Sequence, residues 1–507
     1  MRRGLLVAAV CAAGPLGAEP QFRPVEMPVE HVYAGGWEHF VGGGVAVFDC
    51  SGDGLPELVA AGGQGPARLF LNRSAGGKVA FVEGDFPEET GVTGAWPIDI
   101  DSDGEVDLVL ARVGENRLLR GTGDCRFEPA NAAWGFDGRD RWSTAFAATW
   151  EAGEAWPTLA FGNYVDRDNP EGPFEACDVN HLYRPQNGGY GEGEALQPGF
   201  CALSMLISDW SRSGVADLRV SNDRHYYVSG GTEQMWRLGE VPNLLGEAEG
   251  FEPVSLWGMG IASRDITGDG RPEVMLTSMG DQVLMQQGES GWARAPYSLG
   301  VTAASPHTGE DGRPSTGWHP EWGDVDNDGR VDLFITKGNV DQMPGMAMED
   351  PNNLLMQKED GTFAEAAKVA GVATSERSRG AALADLDGDG RRDLVVVNRR
   401  APMEVWQNVT PGTGHWIKID PGQPESNLFA IGAWVELRQG ERREAVERTV
   451  GGGHGGGTLM PLHFGLGQAD GAEVRVIWPD GVASPWVPLS AGQTYRVQWP
   501  GKVWWVV

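Results

Sequence analysis

The sequence predicts an all-β chain: a seven-bladed β-propeller over residues 19–409, followed by a small C-terminal β domain over 410–507. Three observations carry this expectation. The chain has 75 glycines among 507 residues and only 22% charged residues, a composition of short strands and tight turns. One short acidic loop recurs at a near-constant spacing. Short apolar, β-branched stretches flank each copy of that loop.

The loop is clearest in Asp385-Leu-Asp-Gly-Asp-Gly-Arg-Arg-Asp393, where Asp385, Asp387, Asp389 and Asp393 take positions one, three, five and nine, with Gly390 at six. Asp324, Asp326, Asp328 and Asp332 repeat it around Gly329. Asp99, Asp101, Asp103 and Asp107 repeat it around Gly104. Two copies are partial: Asp265, Thr267, Asp269 and Glu273, and Asp49, Ser51, Asp53 and Glu57. A reduced copy keeps only Asp209 and Asp217 as carboxylates, with Ser211 and Ser213 between them, and reads as a solvated turn. The copies start at 49, 99, 209, 265, 324 and 385, so one gap of 110 is twice the others. Trp150-Glu-Ala-Gly-Glu-Ala-Trp-Pro-Thr-Leu159 fills that gap as a seventh unit without the ligands.

The flanks read as four strands per unit. Gly380–Ala384 precedes one loop and Leu394–Asn398 follows it. Third strands end on an amide, as in Leu69–Asn72, Leu354–Gln357 and Val405–Asn408, and a fourth starts near Asp360-Gly-Thr-Phe363. Units of four short strands, repeated and closed into a ring, protect the edges an open stack would expose.

The loop spacing calls for calcium. Oxygens at positions one, three and five of a tight loop converge, glycine at six permits the turn, and a carboxylate at nine closes the shell. No ligand position of any loop is His or Cys, which argues against zinc or copper. An EF-hand would need Glu at position twelve, where Leu110, Ile335 and Val396 stand, and helices where strands are expected. Clustered carboxylates repel one another unless a cation neutralises them. About five calcium sites are expected, held by the three full and two partial sets.

The ends of the chain set the compartment. Arg2 and Arg3, the apolar Leu5–Ala13 and the small Leu16-Gly17-Ala18 read as a signal peptide over 1–18, with an exported or periplasmic mature chain. Cys11 follows the bulky Val10, against a lipoprotein site. The even set Cys50, Cys125, Cys177 and Cys201 favours disulfides. Cys177 with Cys201 brackets an insertion over 163–200, which leaves Cys50 with Cys125. A formal net charge of -31 excludes nucleic acid as a partner, and no apolar run suits membrane insertion.

These loops resemble the FG-GAP or VCBS repeats of integrin-α-type propellers, with Met259-Gly-Ile-Ala262 and Gly317-Trp318 as further matching words. The tail set His415-Trp-Ile417, Ala430-Ile-Gly-Ala433, His463-Phe-Gly-Leu-Gly467 and Val474–Gly481 resembles an ASPIC/UnbV domain. That layout is similar to the cartilage acidic protein family and its bacterial members. The resemblance implies an extracellular calcium-binding propeller. Its expected role is binding or adhesion toward a protein or glycan, with no catalytic residues; the alternative is an exported enzyme working at the central channel.

Three smaller expectations complete the reading. The Gly451–Gly457 run around His454 reads as a flexible exposed loop. Most of the twenty tryptophans are expected to pack between blades. His307, Trp318, His319 and Trp322 are candidates for a ligand surface.

Overall fold

The computed structural model describes residues 18–224, 230–288, 291–341 and 343–506. The signal-peptide expectation falls almost wholly outside them. The described chain is nearly all β. Seven four-stranded antiparallel units follow one another, and their innermost strands touch in a closed cycle from Val45–Phe48 round to Ser378–Ala384 and back.

The ring is closed by borrowing. The last unit takes Ser378–Ala384, Asp393–Asn398 and Glu404–Asn408 from its own stretch, and Phe22–Val25 from the N-terminal end completes it. The edge of the last unit is thus paired by residues almost 400 positions away, which removes an open edge. The 163–200 insertion is more regular than expected. It carries the outer strands Asn180–Tyr183 and Glu194–Leu196 of the third unit, and the disulfides Cys177–Cys201 and Cys50–Cys125 are both formed.

Wide apolar side chains fill the space between units. Trp96 is buried against Phe146, with ring centroids 5.6 Å apart, and Phe136, Phe161 and Tyr183 form the next cluster. Each such burial contributes about 1.5–3 kcal/mol. Trp318, His319 and Trp322 are also buried, which corrects their reading as a ligand surface. The Trp318 indole donates to the Gly338 carbonyl at 2.7 Å, and the Arg379 guanidinium covers its ring at 4.0 Å.

Beyond Asn408 come two four-stranded sheets. One is His415–Gly422, Leu462–Gly467, Gln493–Gln498 and Lys502–Val506; the other is Trp434–Gln439, Arg442–Glu447, Gly471–Ile477 and Val487–Ser490. They enclose their own core of Ile417, Val435, Phe464, Val474 and Trp478. This body sits on the propeller face that carries the acidic turns. The Asn427 N–H donates to Ser102 Oγ at 3.2 Å, Gly414 N–H to the Asp326 carbonyl at 2.9 Å and Ala445 N–H to Asp265 Oδ2 at 3.2 Å.

The glycine-rich segment is not an exposed loop. His454 is fully buried, and Val450–Leu459 runs into the middle of the ring. Val450 bridges to Ala148, Gly451 to Leu206, Gly453 to Ile261 and Gly456 to Ala95, while Gly457–Leu459 pairs in parallel with Ala46–Phe48. The His454 N–H donates to His319 Nδ1 at 2.9 Å, and the Gly42 N–H donates to His454 Nε2 at 3.0 Å. The glycines are there for close approach: a Cβ on Gly453, whose φ is +56°, would lie 2.1 Å from His319 Cε1.

Candidate metal centres

Each acidic turn joins the first and second strands of its unit, as between Ser378–Ala384 and Asp393–Asn398. All six share one backbone device. The carboxylate at position one accepts the N–H of the glycine at position six: Asp49 from Gly54, Asp99 from Gly104, Asp209 from Gly214, Asp265 from Gly270, Asp324 from Gly329 and Asp385 from Gly390, at 2.6–3.2 Å. In five turns the carboxylate at nine accepts the N–H at position two: Glu57 from Cys50, Asp107 from Ile100, Glu273 from Ile266, Asp332 from Val325 and Asp393 from Leu386. These bonds aim the carboxylates inward.

Three turns gather three carboxylates each. Oxygens of Asp99, Asp101 and Asp107 lie within 4.8 Å of one another, as do those of Asp324, Asp326 and Asp332, and those of Asp385, Asp387 and Asp393. At that separation each pair of charges costs roughly 3–4 kcal/mol at a protein-like dielectric. Burial, followed by the neighbouring carboxylates, pushes Asp99 up to about 7, Asp107 to about 8 and Asp326 to about 6. Asp324, Asp332 and Asp393 rise well above the usual carboxylate range for the same reasons. Asp99 Oδ1, Asp101 Oδ1 and Asp387 Oδ1 are buried and accept no hydrogen bond. Oxygen donors alone, converging with lone pairs unspent, fit a hard divalent cation.

The carboxylate at position five stands apart from each trio. Asp328 and Asp389 are held by Arg330 and Arg391 at position seven, and Asp103 by Arg120 at 2.7 Å. Arg120 also reaches Asp101 Oδ2 at 2.9 Å.

The remaining turns keep the bond from the glycine at position six without a converging trio of carboxylates among the described residues. At Asp49, the N–H groups of Gly52 and Gly54 donate to the carboxylate at 2.7 and 2.8 Å, and Asp53 accepts from Leu55; Ser51 stays close, with its hydroxyl 3.4 Å from Asp49 Oδ1. Glu57 lies beside the Cys50–Cys125 disulfide, whose sulfurs are spent. At Asp265, the Thr267 hydroxyl donates to Glu273 at 3.1 Å and Asp269 accepts from Arg271. At Asp209 a forked Arg237 neutralises Asp217 with two contacts of 2.8 Å.

The structure adds residues that lie far away in sequence. Lys418, from the C-terminal body, pairs with Asp385. A Cβ on Gly465 would stand 1.9 Å from Asp324 Oδ2, so this body rests directly on the acidic turn.

Residues 49–110, 265–335 and 340–427 match the FG-GAP-like repeat family, and residues 423–503 match the family described as ASPIC and UnbV. The chain carries FG-GAP-like repeats and an ASPIC and UnbV domain. Cartilage acidic protein 1 of Mus musculus is 28% identical over 163 residues, covering 31% of this chain and 25% of that protein. The Xenopus tropicalis protein is 33% identical over 110 residues, covering 21% of this chain and 17% of its own length. The FG-GAP-like chain therefore spans about a quarter or less of the curated relatives it matches. A crystal structure of BBS1N in complex with ARL6DN is similar at a TM-score of 0.44 and 10% identity, covering 78% of this chain and 98% of that one. The FG-GAP-like repeats suggest a propeller module of the integrin-α type.

Proposed function

We propose that the chain is an exported, seven-bladed propeller, loaded with calcium, that serves as a binding or adhesion module for an extracellular protein or glycan and is not an enzyme. The observation that carries the calcium reading is the set of three carboxylate trios, two of which, at Asp99 and Asp385, also hold buried oxygens without a hydrogen-bond partner. Asp99, Asp101 and Asp107 would hold one ion, Asp324, Asp326 and Asp332 a second, and Asp385, Asp387 and Asp393 a third; the Asp49 and Asp265 turns are weaker partners. The ion would supply charge neutralisation and lock each turn against the body above it.

Two disulfides support an oxidising compartment. Among the described residues no helix is long and apolar enough to cross a membrane. The His454 segment enters the centre of the ring and borders a cavity of about 200 Å³ lined by His319, Arg392 and His463; the preference for recognition over chemistry rests on the FG-GAP-like repeats. The test is a thermal melt of the full chain with calcium and with chelator, alongside a protein and glycan array in both conditions. A melting temperature that drops on chelation and returns with calcium, together with calcium-dependent capture, supports the reading. An unchanged melt or an array without any capture contradicts it.

A further inference from the structure

We propose that the face opposite the C-terminal body binds an acidic carbohydrate, a sugar chain bearing carboxylate or sulfate groups, on Trp37 and the arginines beside it. This rests on the binding-module reading and names its ligand class.

The location follows from topology. The acidic turns join first strands to second strands, and the C-terminal body covers that end. Arg377 lies just before a first strand, and Arg399 and Arg400 lie just after a second, so they stand at the other end. Trp37 joins them there, because Arg400 donates to the Gly35 carbonyl at 3.1 Å and Arg399 to the Gly36 carbonyl at 3.3 Å. These are the two peptides that lead into the Trp37–His39 turn.

Trp37 is 47% exposed, the most exposed tryptophan among those described. It is nonetheless held, with Trp142 and Phe174 edgewise at 5.6 and 5.5 Å. A rigid, open indole offers a flat apolar surface on which the C–H face of a sugar can lie, with ordered side-chain entropy already spent. Beside it is a cavity of about 480 Å³ lined by Glu38, His39, Gln64 and Arg167. His39 lines this cavity, and its Nε2 is buried without a hydrogen-bond partner.

The charge is the second argument. Arg377, Arg399 and Arg400 converge on one carboxylate, Asp341, at 3.2, 2.6 and 3.1 Å. Arg399 is fully buried, so Arg377 and Arg400 are the guanidiniums around Asp341 that reach solvent. Across the turn, Arg167 sits between Glu38 and Asp140, 2.9 Å from each, so these four arginines and three carboxylates leave one net positive charge. In a chain of formal charge -31 this is where a polyanion would be drawn rather than repelled. Guanidinium forks bind carboxylate and sulfate oxygens two at a time. An acidic peptide would use the arginines but not the flat indole.

The test is titration calorimetry of the full chain, in calcium, with hyaluronan and chondroitin sulfate oligosaccharides, a neutral chito-oligosaccharide and polyglutamate. The acidic oligosaccharides are expected to bind, and polyglutamate at least tenfold more weakly. Trp37→Ala and Arg400→Ala should each weaken binding at least tenfold, Trp37→Phe should retain most of it, and Arg443→Ala on the other face should change nothing. Melting temperatures check that each variant is folded. No binding of acidic oligosaccharide, equal binding of polyglutamate, or binding indifferent to Trp37→Ala and Trp37→Phe alike would overturn the proposal. If arrays still capture a partner while these variants leave it unchanged, only this inference falls. If no partner is captured at all, the binding-module reading falls with it.

Discussion

The turns at Asp324 and Asp209 have the same backbone and different charge. In both, the first carboxylate accepts the glycine N–H five residues on, at 2.8 Å in one and 2.6 Å in the other. The glycines share the left-handed region, with φ of +91° for Gly329 and +81° for Gly214. At Asp324 three buried carboxylates of one turn then meet, whereas the Asp209 turn has one other carboxylate of its own, Asp217, cancelled by Arg237, and Glu447 of the C-terminal body accepts the Asp209 N–H at 3.2 Å. The turn is therefore a feature of the propeller, and the demand for a cation is a separate feature laid on it by three side chains.

Removing cations should test that difference most severely. An ion present at a hundred times its dissociation constant contributes about 2.7 kcal/mol per site, so stripping three sites should lower the melting temperature by on the order of 10 °C. Calorimetry with and without chelator reads this, and the comparison breaks if the trace does not move. Next in size, Asp324→Asn, Asp326→Asn and Asp332→Asn together should abolish one ion of the set and leave the others. Asp209→Asn should leave the ion count unchanged, as metal analysis of the two proteins would show. The shared turn is probed by Gly329→Ala and Gly214→Ala. Each forces a side chain into left-handed backbone, and urea melts should show similar losses of about 1–2 kcal/mol. The smallest effect belongs to Arg237→Ala, which removes a half-exposed ion pair worth roughly 0.5 kcal/mol. Two carboxylates alone should not gain an ion, so a new calcium site in that variant would blur the distinction.

The parts legible in the sequence are local. Positions one, six and nine are tied by hydrogen bonds that span a single turn, so their spacing alone announces them. The flanking strands are legible for the same reason, since Leu394–Asn398 is a short apolar, β-branched run that pairs within its own unit. The role of position five was also local and was readable in principle. Arg330 and Arg391 stand two residues beyond Asp328 and Asp389 and claim them. What could not be read is what depends on distant chain. His454 looks mobile among six glycines, yet Gly42 donates to it from 412 residues away. Glycine here marks close packing of main chain, and composition does not distinguish that from freedom. Likewise nothing near Phe22–Val25 shows that it will finish the last sheet, and nothing near Lys418 shows that it will land on Asp385.

The account depends most on the three carboxylate trios holding ions. Its most direct test is the calcium bound per chain after dialysis of the purified full-length protein against micromolar calcium, measured by elemental analysis. At least three ions per chain are predicted, falling by one in the Asp324, Asp326 and Asp332 triple variant. A chain that retains no calcium, or a triple variant that retains as much as the parent, would contradict it.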